Sequence, residues 1–164
     1  MQVKHVKIYT DGGCRGNPGP GGYGVVLLHG ERRRELSGGF RLTTNNRMEL
    51  TAAIEGLKTL KYRCQVSLYS DSQYLVNAIN KGWLTNWIKR NWIKSDKAEV
   101  KNIDLWEQLY ELCKKHEINF IWVKGHDGNI ENERCDRLAV DAANRKDLPP
   151  DILYEKGRGA LRIV

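Results

Sequence analysis

The chain has 164 residues, 40% of them hydrophobic and 29% charged, with a formal net charge of +7. That length and composition suit one globular domain, which buries about two-thirds of the surface its unfolded chain exposes and needs no disulfides; a disordered chain is excluded. No apolar run approaches the ~20 residues of a membrane span. The excess of basic residues points to a polyanionic partner, nucleic acid first, with a merely basic protein as the alternative. The first ten residues, MQVKHVKIYT, have no uncharged apolar core, so they are not read as a signal peptide and a cytoplasmic location is expected. The cysteines Cys14, Cys64, Cys113 and Cys135 show no CxxC spacing, which argues against zinc. The last three lie in apolar patterns and read as core thiols, whereas Cys14 lies in a glycine-rich turn.

Alternation predicts a first strand over residues 3–11. Asp11 shares its face with Tyr9, Lys7 and His5, while Val6 and Ile8 face the other way. Residues 12–22, GGCRGNPGPGG, hold six glycines and two prolines and read as a loop or tight turns. Strands are predicted over 23–28 and 32–42, and the short connections make them antiparallel hairpins. Leu50, Ala53, Ile54, Leu57 and Leu60 form an apolar stripe that predicts a helix over 46–61. Asn46 with Glu49 three residues on resembles a capping box, which places Glu49 in the first turn. A strand over 64–70 ends at Asp71, and Ser72 is placed to cap a short helix through Ile79.

Residues 81–101 carry Trp83, Trp87 and Trp92 together with six basic residues, Lys81, Lys89, Arg90, Lys94, Lys97 and Lys101. The tryptophans recur at helical spacing, and a small local core is favoured for them over base stacking; the basic residues are the better nucleic-acid contacts. A helix over 102–116 buries Leu105, Trp106, Leu109, Leu112 and Cys113. A strand follows over 118–123, then the loop GHDGN, then a helix over about 131–145 that packs Cys135, Leu138, Ala139, Ala142 and Ala143 inward. Pro149 and Pro150 stop it, and the remainder to Val164 carries no motif. The order predicts an α/β fold: a mixed five-stranded sheet, three antiparallel strands and then parallel ones, with helices on both faces.

Four acids stand out by position. Asp11 and Asp71 end strands that are plausible neighbours, Glu49 opens a helix, and Asp136 lies in the first turn or two of the last helix. Ligands gather at strand ends of this kind, and hard divalent cations take carboxylate oxygens. Any one of these acids alone is more simply a helix cap or turn residue. His126, between glycines in the loop before the last helix, can exchange protons at such a site, although a lone loop histidine is more simply a surface group. No GxSxG, HExxH or GxxxxGK[ST] motif is present, so residues 12–22 are not an ATP-binding loop.

The segments TDGGCRGNPGPGGYG (10–24), TTNNRMEL (43–50), DSQY (71–74), WVKGH (122–126) and NERCDRLA (132–139), in this order, resemble type 1 ribonuclease H of the bacterial kind. The resemblance covers about residues 3–145. It implies the ribonuclease H-like fold and an endonuclease that cuts the RNA strand of RNA–DNA hybrids, leaving 5′-phosphate and 3′-hydroxyl ends. It implies two magnesium ions, with manganese as a substitute, held by Asp11, Glu49, Asp71 and Asp136, and a proton-transfer or product-release role for His126. Cys14, Asn17, Asn45 and Gln73 match positions that read the hybrid minor groove. Thr44 and Asn102 match positions that hold a DNA phosphate.

Residues 81–101 match the family's basic protrusion, which makes Trp83, Trp87, Lys89, Arg90, Lys94 and Lys97 substrate contacts. The catalytic domain is then 1–146, with 147–164 as a C-terminal tail, and the enzyme is expected to be a monomer whose partner is the hybrid. Two departures stand out. Leu42 occupies a place where the family often has arginine, with Arg41 beside it as a replacement, and Asp127 follows His126 where a small residue is usual. The alternatives are a hybrid-binding module without catalysis, against which the complete set of four acids argues, and a recombinase- or junction-type nuclease. The basic protrusion and the glycine loop favour ribonuclease H over the latter.

Overall fold

The computed structural model describes residues 4–157. Met1, Gln2 and Val3, with which the first predicted strand begins, and the end of the chain from residue 158 lie outside the described residues. Among the described residues the chain forms β1 (Lys4–Cys14), β2 (Gly19–His29), β3 (Arg32–Thr43), α1 (Asn45–Lys58), β4 (Cys64–Ser70), α2 (Gln73–Asn80), α3 (Trp83–Lys89), α4 (Ile103–Lys115), β5 (Glu117–Trp122), α5 (Ile130–Ala143) and α6 (Ile152–Gly157). The strands make one sheet in the order β3-β2-β1-β4-β5. β1 pairs antiparallel with β2, and β2 with β3; β1 pairs parallel with β4, and β4 with β5. This is the mixed sheet expected from the sequence.

The sheet is covered on both faces. Val6 and Ile8 of β1, Val66 and Leu68 of β4 and Phe120 of β5 meet Leu50, Ile54 and Leu57 of α1 and Trp106 and Leu109 of α4 in the main core. α5 crosses the opposite face over β1, β2 and β3. Trp106 is fully buried and is met by Tyr74 of α2 and edge-on by Trp87 of α3, with ring centroids 5.3 and 5.5 Å away. These aromatic contacts tie the tryptophan-rich segment to the core.

Two local expectations are corrected. The glycine-rich stretch is mostly strand: β1 continues through Cys14 and β2 begins at Gly19, leaving a tip of four residues, Arg15, Gly16, Asn17 and Pro18. Gly12 and Gly22 of this stretch, and Gly24 just after it, are strand positions on which helices rest directly. A Cβ at Gly12 would overlap the Met48 backbone of α1, and a Cβ at Gly22 or Gly24 would overlap the Ala139 or Cys135 carbonyl of α5. The N-cap of α1 is Thr44 and not Asn46. Thr44 is extended, with φ −127° and ψ 161°, and its hydroxyl oxygen accepts from Arg47 N at 3.2 Å. Glu49 therefore sits one turn further in and is directed at the sheet rather than back at the cap. Ser72 caps α2 as expected, accepting from Leu75 N at 3.1 Å.

The segment after Pro149 and Pro150 returns to the sheet. Arg41 N donates to Pro149 O at 2.9 Å. Arg41 also makes a bidentate pair with Glu155 of α6, at 2.8 and 3.0 Å.

Candidate active site

Asp11 lies where β1 still pairs with β2, opposite Gly24. One residue earlier, Thr10 pairs in parallel with Ser70 of β4, so Asp71 leaves β4 beside Asp11. α1 supplies Glu49. Because Gly12 has no Cβ, α1 can rest on β1 at this point, and a side chain there would lie 2.7 Å from Glu49 N. As a result carboxylate oxygens of Asp11, Glu49 and Asp71 all lie within 4.8 Å of one another. Asp136, from the second turn of α5, lies close enough to Asp11 for its charge to act on it.

Burial, then the charges of Asp71 and Asp136, push the Asp11 carboxyl from its ordinary 3.8 up to about 9. Glu49 is raised well above its ordinary value by burial and by Asp11 and Asp71, against a hydrogen bond from the Gly12 backbone. Glu49 Oε1 is buried and has no hydrogen-bond partner among the described residues. A buried polar atom is rarely left this way unless something else satisfies it. An all-oxygen donor set and an unpartnered carboxylate oxygen fit a hard divalent cation.

The loop after β5 runs against this group. A Cβ at Gly125 would lie 2.8 Å from Asp71 Oδ2. His126 follows, exposed and left-handed at φ 57°, and Asp127 beside it is exposed. Trp122 Nε1 donates to Asp71 O at 3.2 Å and holds the end of β4 in place.

Around the hairpin tip the other expected residues fall into two groups. Cys14 N donates to Asn45 Oδ1 at 2.8 Å, and Asn45 N donates to Asn17 Oδ1 at 3.0 Å, which joins the tip to the start of α1. Thr44 and Asn102 line one open pocket together with Asn17 and Lys101. Arg41 is not among the residues lining that pocket, and its guanidinium is engaged by Glu155. Gln73 is exposed at the start of α2, two residues from Asp71.

In the protrusion, Lys89, Arg90, Lys94 and Lys97 are all exposed. Trp83 is 38% exposed, with Lys81 Nζ 5.7 Å from its ring centroid. Trp87 and Trp92 pack against the core, as the local-core reading expects. Trp83, Trp87, Arg90 and Lys94 line one shallow groove.

Sequence reasoning missed Trp122, Gly125 and, above all, Arg47 with its partners Asp104 and Asp151. A signal for Arg47 was present: it lies three and seven residues before Leu50 and Ile54, on the stripe that α1 buries. A charged residue on a buried stripe calls for partners from elsewhere in the chain.

The model of the RNase H family matches residues 3–144 of the chain. The chain belongs to the ribonuclease H family. It is 64% identical over 151 residues to the ribonuclease H of Syntrophus aciditrophicus (strain SB), covering 92% of this chain and 87% of that one. It is 60% identical over 152 residues to the ribonuclease H of Rippkaea orientalis, covering 93% of each. Among solved structures, LC9-RNase H1 aligns with a TM-score of 0.78 at 32% identity, over 87% of this chain and 74% of that one. LC11-RNase H1 in complex with an RNA/DNA hybrid aligns with a TM-score of 0.65 at 26% identity, over 85% of this chain and 96% of that one. The chain is thus an RNA–DNA hybrid endoribonuclease. No helix among the described residues is long and apolar enough to cross a membrane.

Proposed function

We propose that this ribonuclease H cuts the RNA strand of hybrids with two magnesium ions held by Asp11, Glu49, Asp71 and Asp136, leaving 5′-phosphate and 3′-hydroxyl ends. The observation that carries the reading is the convergence of carboxylates from β1, α1 and the end of β4, with one Glu49 oxygen left without a partner. Bound there, the ions supply the Lewis acidity that activates water and neutralises charge on the departing 3′ oxygen, a task that manganese can share.

The chain's own residues do the rest. Asp11, Glu49 and Asp71 each bring a carboxylate oxygen to the same point. His126, on an exposed loop whose Gly125 lies against Asp71, carries a proton to or from the cleaved bond. Cys14, Asn17, Asn45 and Gln73 face the hybrid minor groove, where 2′-hydroxyls distinguish RNA from DNA. Thr44 and Asn102 take a phosphate of the DNA strand. The basic residues of the protrusion hold that strand further along. The enzyme works as a cytoplasmic monomer.

The test is an end-labelled RNA–DNA hybrid incubated with magnesium or with EDTA, beside an RNA duplex, a DNA duplex and single strands, with the product ends mapped. Magnesium-dependent cutting of the hybrid's RNA alone, with 5′-phosphate ends, is expected. Equal cutting of the RNA duplex would remove the proposed discrimination, and cutting undiminished in EDTA would remove the metal scheme.

A further inference from the structure

α1, which presents Glu49, begins at Thr44, and the groups around that start converge on one buried side chain. Arg47 is 4% exposed. Its Nε and Nη2 donate to Asp151 at 2.8 and 3.1 Å, its Nη1 and Nη2 donate to Asp104 at 2.9 and 2.7 Å, and Nη1 reaches Asn102 Oδ1 at 3.3 Å. A guanidinium has five N–H donors in a fixed fork, and these contacts engage all of them. Two carboxylates on one cation leave no spare positive charge here. The cluster therefore acts on a ligand by geometry and not by attraction.

The geometry it fixes is that of the open pocket lined by Thr44 and Asn102. Asn102 is left-handed at φ 65°, with Oδ1 held by Arg47 and Nδ2 donating to Tyr74 Oη at 3.2 Å. Thr44 accepts from the Arg47 backbone, which leaves its hydroxyl proton to donate outward. Asp151 also accepts from Thr43 Oγ1 at 2.7 Å, so one carboxylate grips both the residue before Thr44 and the side chain that holds Asn102. That carboxylate comes from the C-terminal segment, beyond the stretch that matches the family model. Tyr154, with its ring centroid 5.8 Å from Arg47 Cζ, closes the cluster from the same segment.

We infer that Asp151 is a positioning residue for binding the nucleic-acid backbone: by completing the Arg47 cluster, the C-terminal segment orients Thr44 and Asn102 around one phosphate of the substrate. The inference rests on the hybrid-binding reading above. With Asp151 neutral, the buried fork turns toward its remaining acceptors and draws Asn102 with it.

The test is binding of a fluorescent RNA–DNA hybrid by anisotropy, without divalent metal, across a salt series and well below every melting temperature. Asp151→Asn is expected to raise Kd about three- to tenfold while leaving the slope of log K against log salt unchanged, because Thr44 and Asn102 hold the phosphate with neutral groups and no cation is lost. Thr43→Val, which removes only a hydroxyl holding Asp151, should raise Kd by less, again with an unchanged slope, and it serves if Asp151→Asn does not fold. Leu57→Ala, a core truncation in the last turn of α1, should lower the melting temperature and leave Kd and slope at wild-type values. A wild-type Kd in Asp151→Asn and Thr43→Val would overturn the inference, as would an equal Kd change in Leu57→Ala. The assay involves no cleavage, so a wild-type chain that binds but does not cut would sink the nuclease mechanism and leave this comparison standing.

Discussion

His116 closes α4 in a buried position, and its Nδ1 accepts from Cys64 N at 3.1 Å, where β4 begins. Protonation would replace that acceptor with a donor facing another donor. Burial, with Arg63 and Lys115 nearby, holds its pKa below the ordinary 6.5. The unfolded chain therefore binds a proton at a higher pH than the folded one, and stability is lost as pH falls through the unfolded value of about 6.5. Thermal melts between about pH 7.5 and pH 5.5 should show the stability advantage of wild type over a His116→Asn variant shrinking as pH falls. Parallel curves for the two would mean that His116 is not the titrating group. At this same scale Arg47 escaped the sequence reading, because its partners Asp104 and Asp151 are 57 and 104 residues away. Asp11 and Asp71 were legible because strand parity and strand ends are local properties.

Among the elements, β1 and β2 show how composition can mislead. Glycines at 12, 13, 19, 21 and 22 read as turn residues, yet here they are strand positions, and Gly12 and Gly22 let α1 and α5 lie on the sheet without intervening side chains. Nothing local distinguishes these uses, since the crowding atoms come from residues 48 and 139. The stripes of α1 and α4 were legible because periodic burial is written within one helix. Gly12→Ala tests the point. Its methyl would push α1 off β1, costing about 1–3 kcal/mol by overpacking, and would carry Glu49 away from Asp11, so cleavage should fall more than the melting temperature alone accounts for. Gly13→Ala, whose Cβ would meet Asn45 Oδ1 at an ordinary 3.7 Å, should leave stability near wild type. Equal melting temperatures for Gly12→Ala and wild type would refute the close approach. The protrusion supports a separate prediction. Changing Lys89, Arg90, Lys94 and Lys97 together to Ala should raise KM far more than it lowers kcat. It should also flatten the salt dependence by about 0.9 in log–log slope for each phosphate that these side chains neutralise. An unchanged slope would show that this face does not meet the substrate.

The molecule as a whole is basic, at +7, yet it gathers four carboxylates in one cleft. Folding moves Asp11 from 3.8 to about 9 and moves Glu49 in the same direction. Between those values the metal-free native state holds protons that the unfolded chain has released, so these groups make stability fall as pH rises. This is the opposite of the His116 effect, and the two separate above pH 6.5, where His116 no longer contributes. Asp11→Asn keeps the side-chain shape and removes both the titrating carboxyl and the proposed cation ligand. In EDTA at about pH 7.5 it should melt at or above the wild-type temperature, with the advantage growing from about pH 6.5 to about pH 8.5. On the proposed scheme magnesium should stabilise folded wild type by RT ln(1 + [Mg]/Kd), about 2.7 kcal/mol at a hundred times Kd, and the variant by less. Hybrid cleavage by the variant should be nearly abolished. A variant that melts well below wild type in EDTA would make Asp11 a structural acid whose loss opens the β1–β4 junction. Retained cleavage would be more damaging, because one of the three converging carboxylates could then be spared, and the proposed two-ion site needs all of them.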